Sequence, residues 1–260
     1  MEETRLTLES QSETSPHLDR RGGFRERHRT TARYRGGGFL FTRLVSDRLG
    51  TVVATMAEPV GLHPTVLTLS DLVIGVAGSV LVYTLAGSRD ITEAGAAAAL
   101  LWSLAYVVDC SDGQLARATR TTSAGGARVD LLTDAAVQAS VLVAVSAVTV
   151  RYAHPPIVLV VLFAATWYVN FLLFLLEKSP PAEKGKPEGF GVLDLVKLPR
   201  DYGLLIAVFG LSIAFGRGIL VYEVAVLTVY NSLILVASIA IAARRSLRPA
   251  TDESYTGGGI

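Results

Sequence analysis

Six long apolar segments constrain this chain more than any other feature of its sequence. They lie at about 64–87, 93–116, 126–150, 155–176, 199–216 and 219–243. Each is close to the length of about 20 residues that an α-helix needs to cross the hydrocarbon core of a bilayer. Backbone groups in lipid must be hydrogen bonded within their own segment, so helices rather than strands are predicted. The predicted fold class is an all-α integral membrane protein with six transmembrane helices.

The composition agrees with lipid as the surrounding solvent. Half of the 260 residues are hydrophobic and only 18% are charged, whereas soluble domains average about 25% charged residues. The single cysteine, Cys110, excludes an intramolecular disulfide, and we interpret it as a small apolar side chain that fills space. The first apolar run begins only after residue 38, which is too late for a secretory signal peptide.

The two ends of the chain lack the apolar content that offsets the entropy of ordering. We therefore predict a disordered basic tail over residues 1–38 and a disordered tail over 247–260. An arginine cluster in the first tail is expected to attract anionic lipid headgroups, at roughly 1 kcal/mol per basic residue near the surface. No nucleic-acid partner is expected, because no aromatic platform accompanies the cluster: Arg20, Arg21, Arg25, Arg27, Arg29, Arg33 and Arg35.

An amphipathic segment precedes the first apolar segment, and we assign residues 39–62 to a juxtamembrane helix and linker. Its apolar residues recur at spacings of three and four, which predicts a helix with one apolar stripe. Pro59 and Gly61 end the pattern, and the helix is expected to lie in the plane of the membrane interface. The stripe consists of Phe41, Leu44, Val45, Leu49, Val52, Val53 and Met56.

Basic residues indicate which side of the membrane each connection occupies. Only single arginines, Arg89, Arg151 and Arg217, lie on one side. By the positive-inside rule, both termini and the two long loops are expected in the cytoplasm, with residues 63–246 forming a six-helix domain in the cell membrane. The richer side holds the N-terminal arginines, Arg117, Arg120, Arg128, Lys178, Lys184, Lys186, Lys197, Arg200, Arg244, Arg245 and Arg248.

Four aspartates lie where the second and third apolar segments reach the cytoplasmic side. Asp109 and Asp112 share one face of the second segment, and Asp130 and Asp134 share one face of the third. The short connection makes the two helices antiparallel neighbours, so all four carboxylates can converge. Two carboxylates 4 Å apart repel by about 4 kcal/mol at an effective dielectric of 20. Hard divalent cations, namely two Mg²⁺ or Mn²⁺ ions, are therefore expected.

Any one of these aspartates alone would be interpreted as a helix cap or as the partner of a nearby arginine, such as Arg117, Arg120 or Arg128. Acidic side chains are costly at a membrane boundary, however. Four of them facing one another favour a functional site over a structural one.

The aspartates belong to a pattern of eight positions that resembles the signature of the CDP-alcohol phosphotransferase family. The six-helix arrangement and the preceding interfacial helix extend the resemblance over about residues 39–245. The matching positions are Asp109-x-x-Asp112-Gly113-x-x-Ala116-Arg117, followed by Gly126, Asp130 and Asp134.

The resemblance implies a metal-dependent enzyme that transfers a substituted phosphate group from a CDP-alcohol to an acceptor alcohol and releases CMP. Asp109, Asp112 and Asp130 would bind the metal pair, while Asp134 would be the general base and also touch a metal. Asp112 is also expected at the CDP site, together with residues whose small side chains admit the nucleotide or whose charge binds phosphate: Gly113, Ala116, Arg117 and Gly126.

Further positions carry weaker signals. Pro64 to Thr68 resemble the family's Pro-Asn-x-x-Thr entry, with Thr65 where Asn is usual, so Thr68 either lines the nucleotide site or caps the helix. Asp71 either approaches the site or bonds Thr68. Lys197 and Arg200, followed by Asp201, either bind an acceptor phosphate or anchor the fifth helix.

The substrates remain open at this point. A phosphatidyl group from CDP-diacylglycerol, used in phospholipid biosynthesis, is the expected donor group, and a CDP-polyol is the alternative. A cation transporter would also explain intramembrane acids, but it predicts acids near the bilayer midplane on several helices. An intramembrane prenyltransferase predicts a second Asp-rich motif, which does not occur after Asp134. The family resemblance also implies a homodimer.

Overall fold

The computed structural model describes residues 23–36, 39–176 and 198–247, and these parts contain helices and no strand. Short helical turns lie at Ala32–Tyr34 and Leu198–Arg200, and a π-helical turn at Thr42–Ser46 runs directly into the second α-helix. The α-helices are α1 (Phe24–Thr31), α2 (Asp47–Ala57), α3 (Pro64–Leu85), α4 (Ile91–Thr119), α5 (Ala124–Ala153), α6 (Ile157–Leu176), α7 (Tyr202–Phe215) and α8 (Leu220–Ser246). The prediction of an all-helical protein is confirmed.

Four of the helices, α3, α4, α5 and α8, are long and apolar enough to cross a bilayer. This confirms the prediction of a membrane protein. The other two apolar helices are shorter by the same measure, at Ile157–Leu173 and Tyr202–Phe215. All six predicted apolar segments are thus helical, while the crossing of the membrane by α6 and α7 stays a prediction.

Local signals explain how the site-bearing helices begin and end. Pro64 occupies the first turn of α3, where its missing N–H leaves no donor unpaired. Helix α4 ends at Arg120, which adopts the left-handed conformation with φ 58°. Helix α5 begins after Ser123, whose Oγ accepts a hydrogen bond of 3.0 Å from the N–H of Gly126. Only residues 120–123 separate α4 from α5, so the two helices run antiparallel.

Helix α4 is the centre of the bundle and packs against α2, α3 and α7. Its contact with α7 depends on small residues. A Cβ on Gly95 would lie 2.5 Å from the backbone nitrogen of Ala214, and a Cβ on Gly210 would lie 2.5 Å from the Cα of Ala99. Because side-chain atoms cannot fit between these backbones, the helices are in direct contact. These contacts hold the first half of α4 against α7, about 15 Å or more along the helix from Asp109.

Helix α2 presents its apolar face outward. Leu49 and Met56 are 51% and 61% exposed, whereas Asp47 and Thr51 on the opposite face are buried. The buried face packs on α4, where a Cβ on Gly50 would lie 3.1 Å from the Cβ of Cys110. In α2 the apolar stripe is thus exposed, while the polar face is buried against protein.

The N-terminal residues correct one expectation. Residues 24–34, predicted to be part of a disordered tail, form α1 and a helical turn. Two of the arginines that were expected to serve membrane attraction have protein partners instead. Arg27 Nε lies 3.9 Å from Glu58 Oε2, and Arg35 Nε donates a hydrogen bond of 2.8 Å to Thr51 Oγ1. The rest of the two predicted tails, apart from residues 23, 35, 36 and 247, lies outside the described residues.

Candidate functional site

Five carboxylates meet at the ends of three neighbouring helices. Their oxygens form two groups, each with ligand atoms within 4.8 Å of one another. The outer group contains Asp109, Asp112 and Asp130, and the inner group contains Asp71, Asp109 and Asp134. The structure thus brings all four sequence-predicted aspartates together and adds Asp71 from α3. Asp109 belongs to both groups, so its carboxylate could serve as a ligand in either one.

From the sequence, Asp71 could either approach the site or bond Thr68. Asp71 is only 3% exposed and belongs to the inner carboxylate group. Thr68, which was considered as its partner, instead donates a hydrogen bond to Asp112 Oδ2 on α4. The signal for Asp71 was an acidic residue within an apolar helix, since such residues mark functional sites in membranes. Because Asp71 lies far from the other aspartates in the sequence, spacing alone could not place it in the cluster.

The charges around the cluster are unbalanced. Asp71 and Asp109 are influenced by the other carboxylates of the cluster and by no basic side chain that the structure describes. Arg117 is the basic residue that acts on Asp112 and Asp130. Crowded carboxylate oxygens with so little positive charge nearby are the ligands that hard divalent cations prefer. These residues therefore fit a metal centre.

Arg117 lies on the exposed side of α4, one turn beyond Gly113. Its guanidinium donates hydrogen bonds to the backbone carbonyl of Tyr34, with Nη2 at 3.0 Å and Nε at 3.3 Å from the oxygen. A Cβ on Gly113 would lie 3.2 Å from Arg117 Nη1. Gly113 therefore leaves the space along α4 that the Arg117 side chain occupies. Arg117 can pair with an anion beside Asp112 if it exchanges the neutral carbonyl for it.

Two other small residues of the signature lie near the helix ends. Gly126 is half-buried in the first turn of α5, and a Cβ there would lie 3.2 Å from Ser123 Oγ. Ala116 is half-buried on α4. Thr68, in the first turns of α3, connects that helix to α4 through its hydrogen bond to Asp112. The start of α3 therefore contributes directly to the region around the outer carboxylate group.

The structure separates the residues that were predicted to bind the acceptor from the neighbouring Asp201. Lys197 lies outside the described residues. Arg200 is half-buried in the turn before α7, with its guanidinium carbon 5.9 Å from the centre of the Phe39 ring. Asp201 is fully buried and accepts hydrogen bonds from the N–H of Phe41 at 2.6 Å and from the N–H and hydroxyl of Thr42 at 3.0 and 2.6 Å. Asp201 thus joins α7 to the turn before α2 and has no free oxygen to offer a substrate.

Comparison with known proteins identifies the family. The family model for CDP-alcohol phosphatidyltransferase matches residues 61–243. The chain belongs to this family. Its members are transferases of substituted phosphate groups, with a CDP-alcohol as donor and an alcohol as acceptor, so the predicted family and enzyme class are confirmed. No curated protein matches the chain.

In this CDP-alcohol phosphatidyltransferase, a small cavity extends from the inner carboxylate group into the bundle. Aromatic side chains close it on one side, and Tyr106 and Tyr202 meet edge to face with ring centres 5.3 Å apart. The Tyr202 hydroxyl is buried and has no hydrogen-bond partner among the described residues. No motif signals this tyrosine in the sequence. The cavity is lined by Asp71, Trp102, Ala105, Tyr106, Asp109, Asp134, Val137 and Tyr202.

Proposed function

We propose that this enzyme transfers a phosphatidyl group from CDP-diacylglycerol to an acceptor alcohol in phospholipid biosynthesis, with release of CMP. The observation that carries the proposal is the convergence of five carboxylates, with scant positive charge around them, at one end of apolar helices in a chain of this family. A cation transporter does not require Gly113, Ala116 and Arg117 beside such a cluster. A donor that carries two acyl chains suits a site placed at the boundary of a bilayer.

The residues that would hold the cofactor are the four aspartates of the family signature, which all belong to these two groups. Asp109, Asp112, Asp130 and Asp134 are the proposed ligands of two Mg²⁺ or Mn²⁺ ions. When bound, such cations neutralise the diphosphate and stabilise the charge that develops on the leaving phosphate. The donor set supports this assignment, because it consists of carboxylate oxygens alone.

The CDP group is proposed to lie along the exposed side of α4. Asp112, Gly113 and Ala116 would face the nucleotide, with Gly126 and Thr68 at the starts of α5 and α3. Arg117 would bind a phosphate oxygen, because a charge-assisted hydrogen bond is roughly twice as strong as the neutral one that it makes to the Tyr34 carbonyl. The space along Gly113 supports this arrangement, since it lets the guanidinium move without a clash.

Asp134 is proposed as the general base. Its carboxylate would take the proton of the acceptor hydroxyl, and the acceptor oxygen would form a bond to the phosphorus on the alcohol side of the diphosphate. The bond between that phosphorus and the bridging oxygen breaks, and CMP leaves with the electron pair. The half-buried position of Asp134 beside the cavity supports the role, because it limits access of water to the base.

The acceptor is proposed to enter near the start of α7. Arg200 and Lys197 would bind a phosphate of the acceptor, and the position of Arg200 in the turn before α7 is compatible with this. A CDP-polyol donor, giving a soluble or lipid-linked phosphodiester, is the second candidate function. A CDP-polyol would use the same carboxylates as CDP-diacylglycerol. The two donors differ only in the alcohol group that would lie against the bundle.

The membrane arrangement is part of the proposal. Six helices would cross the cell membrane, with both termini and the site on the cytoplasmic side. Helix α6 has 20 residues, the length needed to cross a bilayer. Helix α7 has only 14, and a short apolar segment is accommodated by local thinning of the bilayer. The exposed apolar face of α2 would lie in the cytoplasmic interface. A homodimer, as is usual in the family, would cover part of the apolar surface.

The test is a CMP-release assay on the purified protein. CDP-diacylglycerol and CDP-polyols are supplied in turn with Mg²⁺ or Mn²⁺ and a panel of acceptor alcohols. CMP release with CDP-diacylglycerol and one acceptor class supports the main proposal, and release only with a CDP-polyol supports the second. Ion flux in reconstituted vesicles without CMP release from any donor would instead favour a transporter.

The role of Asp134 is tested with Asp134→Asn. We expect loss of transfer with donor binding largely intact, because the amide cannot accept the proton but occupies the same space. Donor binding is measured by calorimetry with CDP-diacylglycerol. Asp90→Asn is the matched control, since it makes the same change at an exposed carboxylate before α4. Near-normal turnover of Asp134→Asn would remove this residue from the role.

A further inference from the structure

Asp71 is the carboxylate of the cluster that lies outside the eight signature positions. It is supplied by α3, whereas the other four come from α4 and α5. Its side chain is 3% exposed and shares the inner group with Asp109 and Asp134. Among the described residues, the charged groups that act on Asp71 are carboxylates, those of Asp112, Asp130 and Asp134. An ionised acid in such surroundings requires a positive partner that no described side chain supplies.

Tyr202 provides a second, independent observation at the same place. Its hydroxyl is buried and without a hydrogen-bond partner among the described residues, although a buried tyrosine hydroxyl normally has one. The ring is held edge to face by Tyr106 at 5.3 Å and by Trp167 at 6.4 Å. Tyr202 lines the cavity that Asp71, Asp109 and Asp134 also line. The unpaired Tyr202 hydroxyl group thus belongs to a side chain that lines the same cavity as these three carboxylates.

We propose that Asp71 is an additional ligand of a divalent cation held by the inner group, and that the Tyr202 hydroxyl donates a hydrogen bond to a ligand oxygen of this cation. This role of Asp71 rests on the proposed function, which supplies the cation in the outer group. A hard divalent cation is favoured over an organic ligand, because the polar groups of the lining are mainly carboxylates and phenol hydroxyls. The indole N–H of Trp102, the other polar group, already donates a hydrogen bond to Ser79 Oγ. Asp71 would then connect α3 to the metal centre.

A structural consequence distinguishes this role from simple packing. A cation bound by Asp71, Asp109 and Asp134 joins α3, α4 and α5, so binding stabilises the folded state over the unfolded one. Without the cation, Asp71 adds one more carboxylate to a crowded group. Replacement of Asp71 by a neutral side chain is therefore expected to preserve or raise the unfolding temperature of the metal-free protein, but to reduce the increase that Mn²⁺ produces.

The experiment measures Mn²⁺ binding to the purified full-length protein by electron paramagnetic resonance of the free ion, together with thermal unfolding. The wild-type protein is expected to bind about two ions. In Asp71→Asn, one of the two is expected to bind at least about tenfold more weakly, and Tyr202→Phe is expected to weaken the same ion about tenfold, as loss of an outer hydrogen bond to a metal ligand does. Asp90→Asn, the matched control, should bind both ions normally.

Three results would contradict the roles assigned to Asp71 and Tyr202. Two Mn²⁺ ions bound with wild-type affinities by folded Asp71→Asn would overturn the role of Asp71, as would a metal-free Asp71→Asn protein that unfolds at a much lower temperature with an unchanged increase from Mn²⁺. Asp71→Ser gives the same comparison if the Asn variant cannot be purified. Unchanged binding in Tyr202→Phe would overturn the part assigned to the hydroxyl.

Failure of the proposed function gives a different pattern. If no donor releases CMP but one Mn²⁺ ion still depends on Asp71, the transferase proposal fails for the tested substrates and the inner cation site stands. If CMP is released but Mn²⁺ binding does not depend on Asp71, the transferase proposal stands and the inference fails.

Discussion

Two buried aspartates, Asp201 at the start of α7 and Asp71 in α3, have opposite surroundings. Asp201 is fully buried, and its two oxygens accept hydrogen bonds from Phe41 and Thr42. Asp71 is buried almost as completely, but the charged groups around it are acidic. A buried carboxylate with a complete set of donors holds elements together. A buried carboxylate among other carboxylates is expected to bind a cation.

Asp47 on α2 is an intermediate case. It is 4% exposed, and the positive charges of Arg35 and Arg117 act on it. Burial raises the pKa of the Asp47 carboxyl above its usual range, although these charges and hydrogen bonds from Gly36 and Gln114 oppose the shift. Burial alone therefore does not separate structural from functional acids. The partners of each carboxylate separate them.

The largest expected effect is the loss of activity when the cations are removed. Treatment with EDTA should reduce CMP release to background, a loss of more than about a thousandfold, because metal binding is what stabilises charge in phosphoryl transfer. Asp109→Asn should have a similar effect, since Asp109 belongs to both carboxylate groups. Addition of Mg²⁺ or Mn²⁺ should restore the activity of the EDTA-treated protein but not that of Asp109→Asn. Full activity in EDTA would contradict the metal assignment.

The next effect concerns stability rather than activity. Asp201→Ala leaves the buried N–H groups of Phe41 and Thr42 without an acceptor. We expect a loss of about 3 kcal/mol in the free energy of unfolding, measured in detergent by denaturant titration. CMP release per folded molecule should be retained. A large loss of turnover at normal stability would show that the contrast between Asp201 and Asp71 is wrong.

A smaller effect is expected for Arg117. Arg117→Lys keeps the charge but not the paired N–H groups that meet one acceptor. Loss of a hydrogen bond to a charged group costs roughly 1.5–3 kcal/mol, so KM for the CDP-alcohol should rise by about tenfold to a hundredfold. Steady-state kinetics of CMP release measure this change. An unchanged KM would mean that Arg117 serves only to hold the Tyr34 carbonyl.

The smallest effect is expected in the hydrogen-bond network between α2 and α4. The Thr51 hydroxyl lies 2.8 Å from both Arg35 Nε and Gln114 Oε1. Thr51→Val keeps the shape and removes these bonds, and a loss of about 1–3 kcal/mol in stability is expected because buried groups lose their partner. Mn²⁺ binding should not change. A loss of one bound Mn²⁺ ion in Thr51→Val would show that this network belongs to the metal site.

Much of this protein was determined by local features of its sequence. Apolar segments of membrane length can only be helices where no water pairs the backbone. The three- and four-residue spacings of Asp109, Asp112, Asp130 and Asp134 put each pair on one helix face. The short connection at residues 120–123 makes α4 and α5 antiparallel, but the two helices pack mainly against α3 rather than against each other. For these reasons the family resemblance could be recognised from the sequence, and the family match confirms it.

Only the tertiary structure decided what depends on contacts between distant segments. The amphipathic pattern of α2 predicted a helix but not that its polar face packs against α4, because periodicity alone does not determine which face meets another helix. The order of α1 depends on partners such as Glu58, which no local pattern indicates. Asp71 and Tyr202 reach the carboxylate cluster because α3 and α7 both pack against α4. Sequence spacing determines one helix face at a time, whereas a site built from four helices requires the packing that brings those faces together.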